Sequence, residues 1–250
     1  MSYQAIKLRL EPPVCYLQLH NPAQGNTIND QMLTECLQAL AALSESAHIV
    51  VLEGMPDYFC LGADFSGLQT TNTPTQTPEL YYSLLQQLAS GDFVSIAHVK
   101  GKTNAGGVGL VAACDIVLAD NSAEFSLSEL LFDLYPACVL PFLIRRIGLQ
   151  KAHYLTLSTK PINTELALAW GLVDASDANS ASLLRIHLLR LRHLSKTGIA
   201  NYKRYINQLY PALEHNRSTA INANRAMFAN PETLNKIKRY VATGLLPWES

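Results

Sequence analysis

Two short apolar runs, Ile49-Val50-Val51-Leu52 and Phe93 to Val99, limit what this chain can fold into. Neither alternates cleanly with polar residues, and both are too short for a helix. Each therefore reads as a strand buried on both faces, which is the signature of a parallel sheet covered by helices. The segments between them fit. Asn29-Asp30 is a good N-cap for a helix through Met32, Leu33, Cys36, Leu37 and Leu40, and Leu80 to Leu88 also has helical spacing. Asp115 to Ala119 gives a further strand. Strands thus alternate with helices to about residue 120, an order that favours right-handed crossovers and an α/β fold.

The flanking regions differ. Ile6, Leu8 and Leu10, then Cys15, Leu17 and Leu19 after Glu11-Pro12-Pro13, predict a hairpin. Gln69 to Pro78 is rich in Thr and Pro and reads as a mobile loop. From about residue 139 the pattern is mostly helical. Gly148 stands as a C-cap after Arg145-Arg146, Asn163 as an N-cap and Gly171 as a stop. Ala181 to Leu194 is leucine-rich, and Leu183, Leu184, Leu188, Leu191 and Leu194 form an apolar stripe that either packs on its own core or meets another subunit.

Several function classes are excluded. A net charge of −1 and the lack of a Lys/Arg-rich run leave no nucleic-acid surface. Five scattered cysteines without CxxC spacing predict buried free thiols, and the start MSYQAIKLRLEPP lacks a signal-peptide core. With no apolar run of membrane-spanning length, the expectation is a cytoplasmic protein. None of the seven histidines has ligand spacing, so no metal is expected.

The chemistry centres on two turns. Cys60-Leu61-Gly62-Ala63-Asp64 and Asn104-Ala105-Gly106-Gly107-Val108-Gly109 each follow a strand and open toward a helix. Glycine permits close backbone approach, and the first N–H groups of a helix are unpaired and favour negative charge. Two such turns on neighbouring strands can aim two N–H groups at one oxygen, an oxyanion hole, or they can simply be tight turns. A P-loop is excluded by the absence of Lys-Ser/Thr, and the dinucleotide spacing Gly-x-Gly-x-x-Gly is also missing.

At this point the chain resembles the crotonase (enoyl-CoA hydratase/isomerase) superfamily. The matching segments run in the family's order. They are His20-Asn21-Pro22, Phe59 to Asp64, Val99-Lys100-Gly101 to Gly106-Gly107, Ala113 to Ile116, Phe125 to Glu129, Leu134-Tyr135-Pro136 and Ala169 to Val173. A finer resemblance, carried by Tyr135 to Gly148 and by Arg239-Tyr240-Val241 to Pro247-Trp248, is to the PksH-like dehydratases of bacterial polyketide β-branching.

The resemblance implies a spiral of ββα units over residues 1–195 and a helical region over 196–250 for trimerisation or as a lid, in a homotrimer or dimer of trimers. It implies Ala63 and Gly106 as oxyanion donors and Glu129 as the catalytic acid/base. The family's second catalytic glutamate falls on Gly109, which leaves one carboxylate and, by expectation, room for a branched acyl group. Asp64, Lys102, Asn104, Gly107, Tyr82 and Asp133 are weaker substrate-binding candidates. The implied reaction dehydrates a 3-hydroxy-3-methylglutaryl thioester to 3-methylglutaconyl. It needs no cofactor beyond the phosphopantetheine of an acyl carrier protein, the implied partner, or of coenzyme A. An enoyl-thioester isomerase, a decarboxylase and a non-catalytic crotonase-fold subunit remain open on these residues.

Overall fold

A computed structural model describes residues 3–65 and 77–249. The predicted Gln69–Pro78 loop falls outside them except for its last two residues, of which Pro78 opens a helix. The chain begins with the expected hairpin, β1 (Ile6–Glu11) and β2 (Val14–Leu19), in antiparallel register with Ile6 opposite Leu19. Helix α1 (Asp30–Ala41) follows, its Asn29 cap accepting from the Met32 N–H at 2.9 Å.

A unit then recurs. β3 (Ile49–Glu53) is followed by the short β4 (Tyr58–Cys60) and by α2 (Pro78–Ser90). β5 (Val94–Val99) is followed by β6 (Lys102–Asn104) and α3 (Gly106–Ala113). β7 (Ile116–Ala119) is followed by β8 (Glu124–Ser126), a 3-10 turn over Glu129–Phe132 and α4 (Leu140–Ile147). Each long strand enters one sheet and each short strand a second. After α5 (Leu149–Ser158), β9 (Ile162–Asn163), α6 (Thr164–Trp170) and β10 (Ala175–Ser176), the sheet orders are β1-β2-β3-β5-β7-β10 and β4-β6-β8-β9. From β2 onward the six-stranded sheet is parallel, and its central strands β3 and β5 are buried on both faces as their composition requires. In β3, Val50 and Leu52 face the main core while Ile49 and Val51 face a second one.

The second core explains the leucine stripe. On α7 (Ser180–Leu191), Leu184 and Leu188 are buried against Ile49, Val51 and Ile96, with Leu183 and Leu191 packed beside them. The stripe therefore covers the sheet of its own subunit, and only Leu194 beyond it stays exposed.

Helices α8 (Lys196–Leu209), α9 (Ala212–His215), α10 (Arg217–Phe228) and α11 (Pro231–Thr243) complete the chain. Lys203 fastens α8 to the body. Its buried ammonium lies 2.8 Å from Asp115 and donates to the Phe93 carbonyl at 2.8 Å. Removing one partner of such a pair leaves a charge without compensation, so Lys203→Ala is expected to cost about 3–5 kcal/mol in urea unfolding. A loss below about 1 kcal/mol would show that α8 is held by its apolar contacts alone.

Candidate active site

Three neighbouring parallel strands bring the site together. Cys60 of β4 pairs with Thr103 of β6, and Asn104 of β6 pairs with Ser126 of β8. Each strand ends two or three residues before a residue predicted to act. Ala63 follows β4, Gly106 follows β6 and Glu129 follows β8. Carboxyl ends of adjacent parallel strands are the usual place for a ligand crevice. Here Ala63, Gly106 and Glu129 all line one cavity of about 370 Å³.

The first donor is oriented by a single bridge. The Ile28 N–H donates to Gly62 O at 2.7 Å and the Asp64 N–H donates to Ile28 O at 2.9 Å. In a parallel bridge the residue between these two points its N–H the other way, so Ala63 presents its donor away from Ile28. The second donor, Gly106, is the first residue of α3 and its N–H belongs to the unpaired first turn. The two turns touch. A Cβ placed on Gly62, whose φ is +95°, would lie 2.9 Å from the Ala105 Cβ and 3.7 Å from Gly106 N.

Ala105, between β6 and the donor, has φ +50° and ψ −118°, a conformation L residues rarely adopt. It is held by its N–H donating to Ser126 O at 2.9 Å. This geometry turns the Ala105–Gly106 peptide out of line with the preceding strand.

Glu129 sits at the start of the 3-10 turn behind Ser128. Its Oε2 is buried with no hydrogen-bond partner among the described residues. Burial pushes its pKa up to about 7, and a bond from its own backbone N–H offsets that only in part. A carboxyl near pH 7 can both accept and return a proton.

Asn104 also lines the cavity, its amide donating to Ser128 Oγ at 2.9 Å and its carbonyl oxygen accepting from Ser126 Oγ at 2.8 Å. The remaining candidates do not. Lys102 is exposed on β6. Asp64 is buried outside the cavity lining. Gly107 packs backbone to backbone, since a Cβ there would lie 2.4 Å from Cys60 O. Asp133 is surface-exposed and paired with Lys236 of α11. Tyr82 points away, donating to Leu213 O at 2.5 Å, and its neighbour Tyr81 is the tyrosine that enters the cavity. The room expected beside Gly109 is also taken: a Cβ there would meet the Tyr81 hydroxyl at 2.1 Å.

The resemblance marks residues 196–250 as a lid or trimerisation region but singles out none of them as cavity lining. Asn224, Met227 and Phe228 of α10 and Ile237 and Tyr240 of α11 close the cavity. A roomier cleft of about 850 Å³ lies elsewhere, between α3, α4 and α8, and holds none of Ala63, Gly106 or Glu129. The five cysteines are buried free thiols. Burial pushes the Cys60 and Cys138 thiols up to about 12, which leaves them inert as nucleophiles. Among the described residues no group of His, Cys, Asp and Glu could hold a metal ion, and no helix is long and apolar enough to cross a membrane.

Comparison with known proteins gives this geometry a family. The sequence model of the enoyl-CoA hydratase/isomerase family matches residues 9–249. The bacillaene synthase dehydratase PksH of Bacillus subtilis is 52% identical over 254 aligned positions, covering 100% of this chain and 98% of that protein. The enoyl-CoA hydratase AKT6-1 of Alternaria alternata is 30% identical over 63% of this chain, which spans 53% of its length. A crystal structure of a polyketide biosynthesis enoyl-CoA hydratase (pksH) from Bacillus subtilis superposes with a TM-score of 0.95 at 52% identity, covering 98% of this chain and 100% of that one. The chain therefore belongs to the enoyl-CoA hydratase/isomerase, or crotonase, family and is a hydro-lyase resembling the PksH dehydratase.

Proposed function

We propose that this enzyme removes water from a 3-hydroxy-3-methylglutaryl thioester carried on the phosphopantetheine of an acyl carrier protein, giving 3-methylglutaconyl thioester for polyketide β-branching. The observation that carries the reading is that Glu129 is the sole carboxylate among the described residues lining the cavity that holds Ala63 and Gly106. Its similarity to the bacillaene synthase dehydratase PksH points to the pathway.

The chemistry follows from one carboxylate and two N–H donors. The thioester oxygen sits between the Ala63 and Gly106 N–H groups. Glu129, charged, takes the α-proton, and the enolate oxygen is stabilised by both donors, each contributing about 3–4 kcal/mol to the transition state. The α-carbon then expels the β-hydroxyl, to which Glu129 returns the same proton. Water leaves, a carbon–carbon double bond forms, and Glu129 is again a carboxylate. No second acid is consumed, so Gly109 is no obstacle.

Glu129 must begin unprotonated, so kcat/KM is expected to rise about tenfold per pH unit below pH 7 and level off above it, following its pKa of about 7. Initial rates from pH 5 to 9 check this; a flat profile would exclude Glu129 as the base. A substrate panel tests the reaction class. The 3-hydroxy-3-methylglutaryl thioester should lose the mass of one water. A 3-enoyl thioester whose double bond moves without mass change, while the hydroxyacyl thioester stays intact, would establish an isomerase instead.

A further inference from the structure

We infer that Tyr81 is a positioning residue for the oxyanion donor Gly106, and that position 109 is glycine because the phenol needs its space. The inference rests on the thioester-enolate reading of this cavity and deepens it.

The Tyr81 hydroxyl donates to Gly106 O at 2.5 Å and lines the cavity beside Glu129. The ring is 3% exposed. Burial, with Cys138, Cys60 and Glu129 nearby, holds the phenol well above its ordinary pKa, so it stays a donor. On the other side of the same donor, the Ala105 N–H is fixed to Ser126 O at 2.9 Å. Between these two anchored atoms lie the Ala105 α-carbon, the Ala105–Gly106 peptide, which carries the donor N–H, and the Gly106 α-carbon. The Ala105 conformation, φ +50° and ψ −118°, is strained and would relax by turning that peptide if either anchor were released. Tyr81 is the downstream anchor.

The same oxygen accounts for Gly109. A Cβ at 109 would stand 2.1 Å from the Tyr81 hydroxyl, against 3.0 Å from a Val139 methyl and 3.3 Å from the Tyr81 ring carbon bearing the oxygen. A side chain at 109 therefore requires the Tyr81 hydroxyl to leave the position from which it bonds Gly106 O. Glycine at 109 and the Tyr81–Gly106 bond are thus one structural feature, in which the phenol occupies the space that a side chain at 109 would fill.

The experiment is a double-mutant cycle of Tyr81→Phe and Gly109→Ala on the full-length enzyme. It is read by kcat and KM on the carrier-bound hydroxyacyl thioester and by the absorbance of bound cinnamoyl-coenzyme A. Polarisation of a conjugated thioester carbonyl by the oxyanion donors moves its absorption to longer wavelength. Tyr81→Phe should lower kcat about tenfold with KM changed less than about twofold, the loss of one buried hydrogen bond, and should shrink the red shift without loss of probe affinity. Gly109→Ala should do the same by displacing the phenol. The double variant should be no worse than either single one, because all three remove the same bond. Full turnover and full red shift in Tyr81→Phe would overturn the inference, as would additive losses in the cycle. If Gly109→Ala does not fold, Tyr81→Phe alone decides. A wild-type enzyme that binds the probe without any red shift would overturn the oxyanion-hole reading itself, and this inference with it.

Discussion

Replacing Glu129 by glutamine is expected to lower kcat by about 10²–10⁴-fold, the usual contribution of a positioned acid/base, and at the same time to make the protein more stable above pH 7. The two effects have one cause. Burial raises the Glu129 pKa to about 7, so the folded state prefers the neutral acid while the unfolded chain, with a pKa near the model value 4.5, prefers the anion. Below about pH 4.5 both states hold the proton and Glu129 is without effect on stability. As pH rises from about 4.5 to the folded-state value of about 7, the cost of burying the carboxyl develops, and by pH 8 it has levelled off at about 3 kcal/mol. Glutamine lacks that cost. Thermal unfolding of both proteins at pH 4 and pH 8 checks it: the Tm advantage of the variant should appear at pH 8 and nearly vanish at pH 4, below the unfolded-state pKa of 4.5. Equal Tm values at both pH values would show that the Glu129 carboxylate is well solvated and unsuited to the proposed shuttle.

The second large effect is expected at Gly107. A Cβ there would lie 2.4 Å from Cys60 O and 3.0 Å from the Cys60 Cβ, and the first of these is backbone that cannot swing aside. Gly107 follows one proposed oxyanion donor, and Cys60 precedes the turn that carries the other. Gly107→Ala therefore pushes apart the two elements whose approach defines the proposed hole. Overpacking of this kind costs about 1–3 kcal/mol of stability. Losing the contribution of one donor costs about 10²–10³-fold in kcat. Single-turnover kinetics on the folded fraction, with Tm measured alongside, separates the two. A variant with wild-type kcat would mean that the spacing of the turns does not control catalysis.

Much of this arrangement was legible because it is local. Apolar runs without alternation predicted strands covered on both faces, and β3 and β5 are such strands. Asn29, Asn163 and Gly171 cap helices where the sequence placed caps. The Gly106 turn was readable as a strand-turn-helix unit, whereas Ala63 lies in a bridge to Ile28 and not at a helix start; the adjacency of the two turns follows from the parallel pairing of β4 with β6. Glu129 was reachable only through the family resemblance, because a lone acid in a short turn carries no spacing signal.

Other features depend on contacts that one sequence does not encode locally. Tyr81 and Tyr82 are consecutive on a helix covered on several sides, so helical phase could not tell which enters the cavity and which caps Leu213. Gly109 suggested open space because the side chain filling it comes from α2, 28 residues earlier. Met227, Ile237 and Tyr240 reach the cavity from helices whose placement is tertiary. Lys203 carries no local signal of its pairing, because Asp115 lies 88 residues earlier in the chain.

The central claim is that one carboxylate in this cavity performs a dehydration. It is tested most directly by incubating acyl-carrier-protein-bound 3-hydroxy-3-methylglutarate with the purified enzyme alone and following the carrier's mass. Wild-type enzyme should remove the mass of one water, and Glu129→Gln at equal concentration should leave the substrate essentially intact over the same period. An unchanged mass with wild-type enzyme, or water loss proceeding at the wild-type rate with Glu129→Gln, would contradict it.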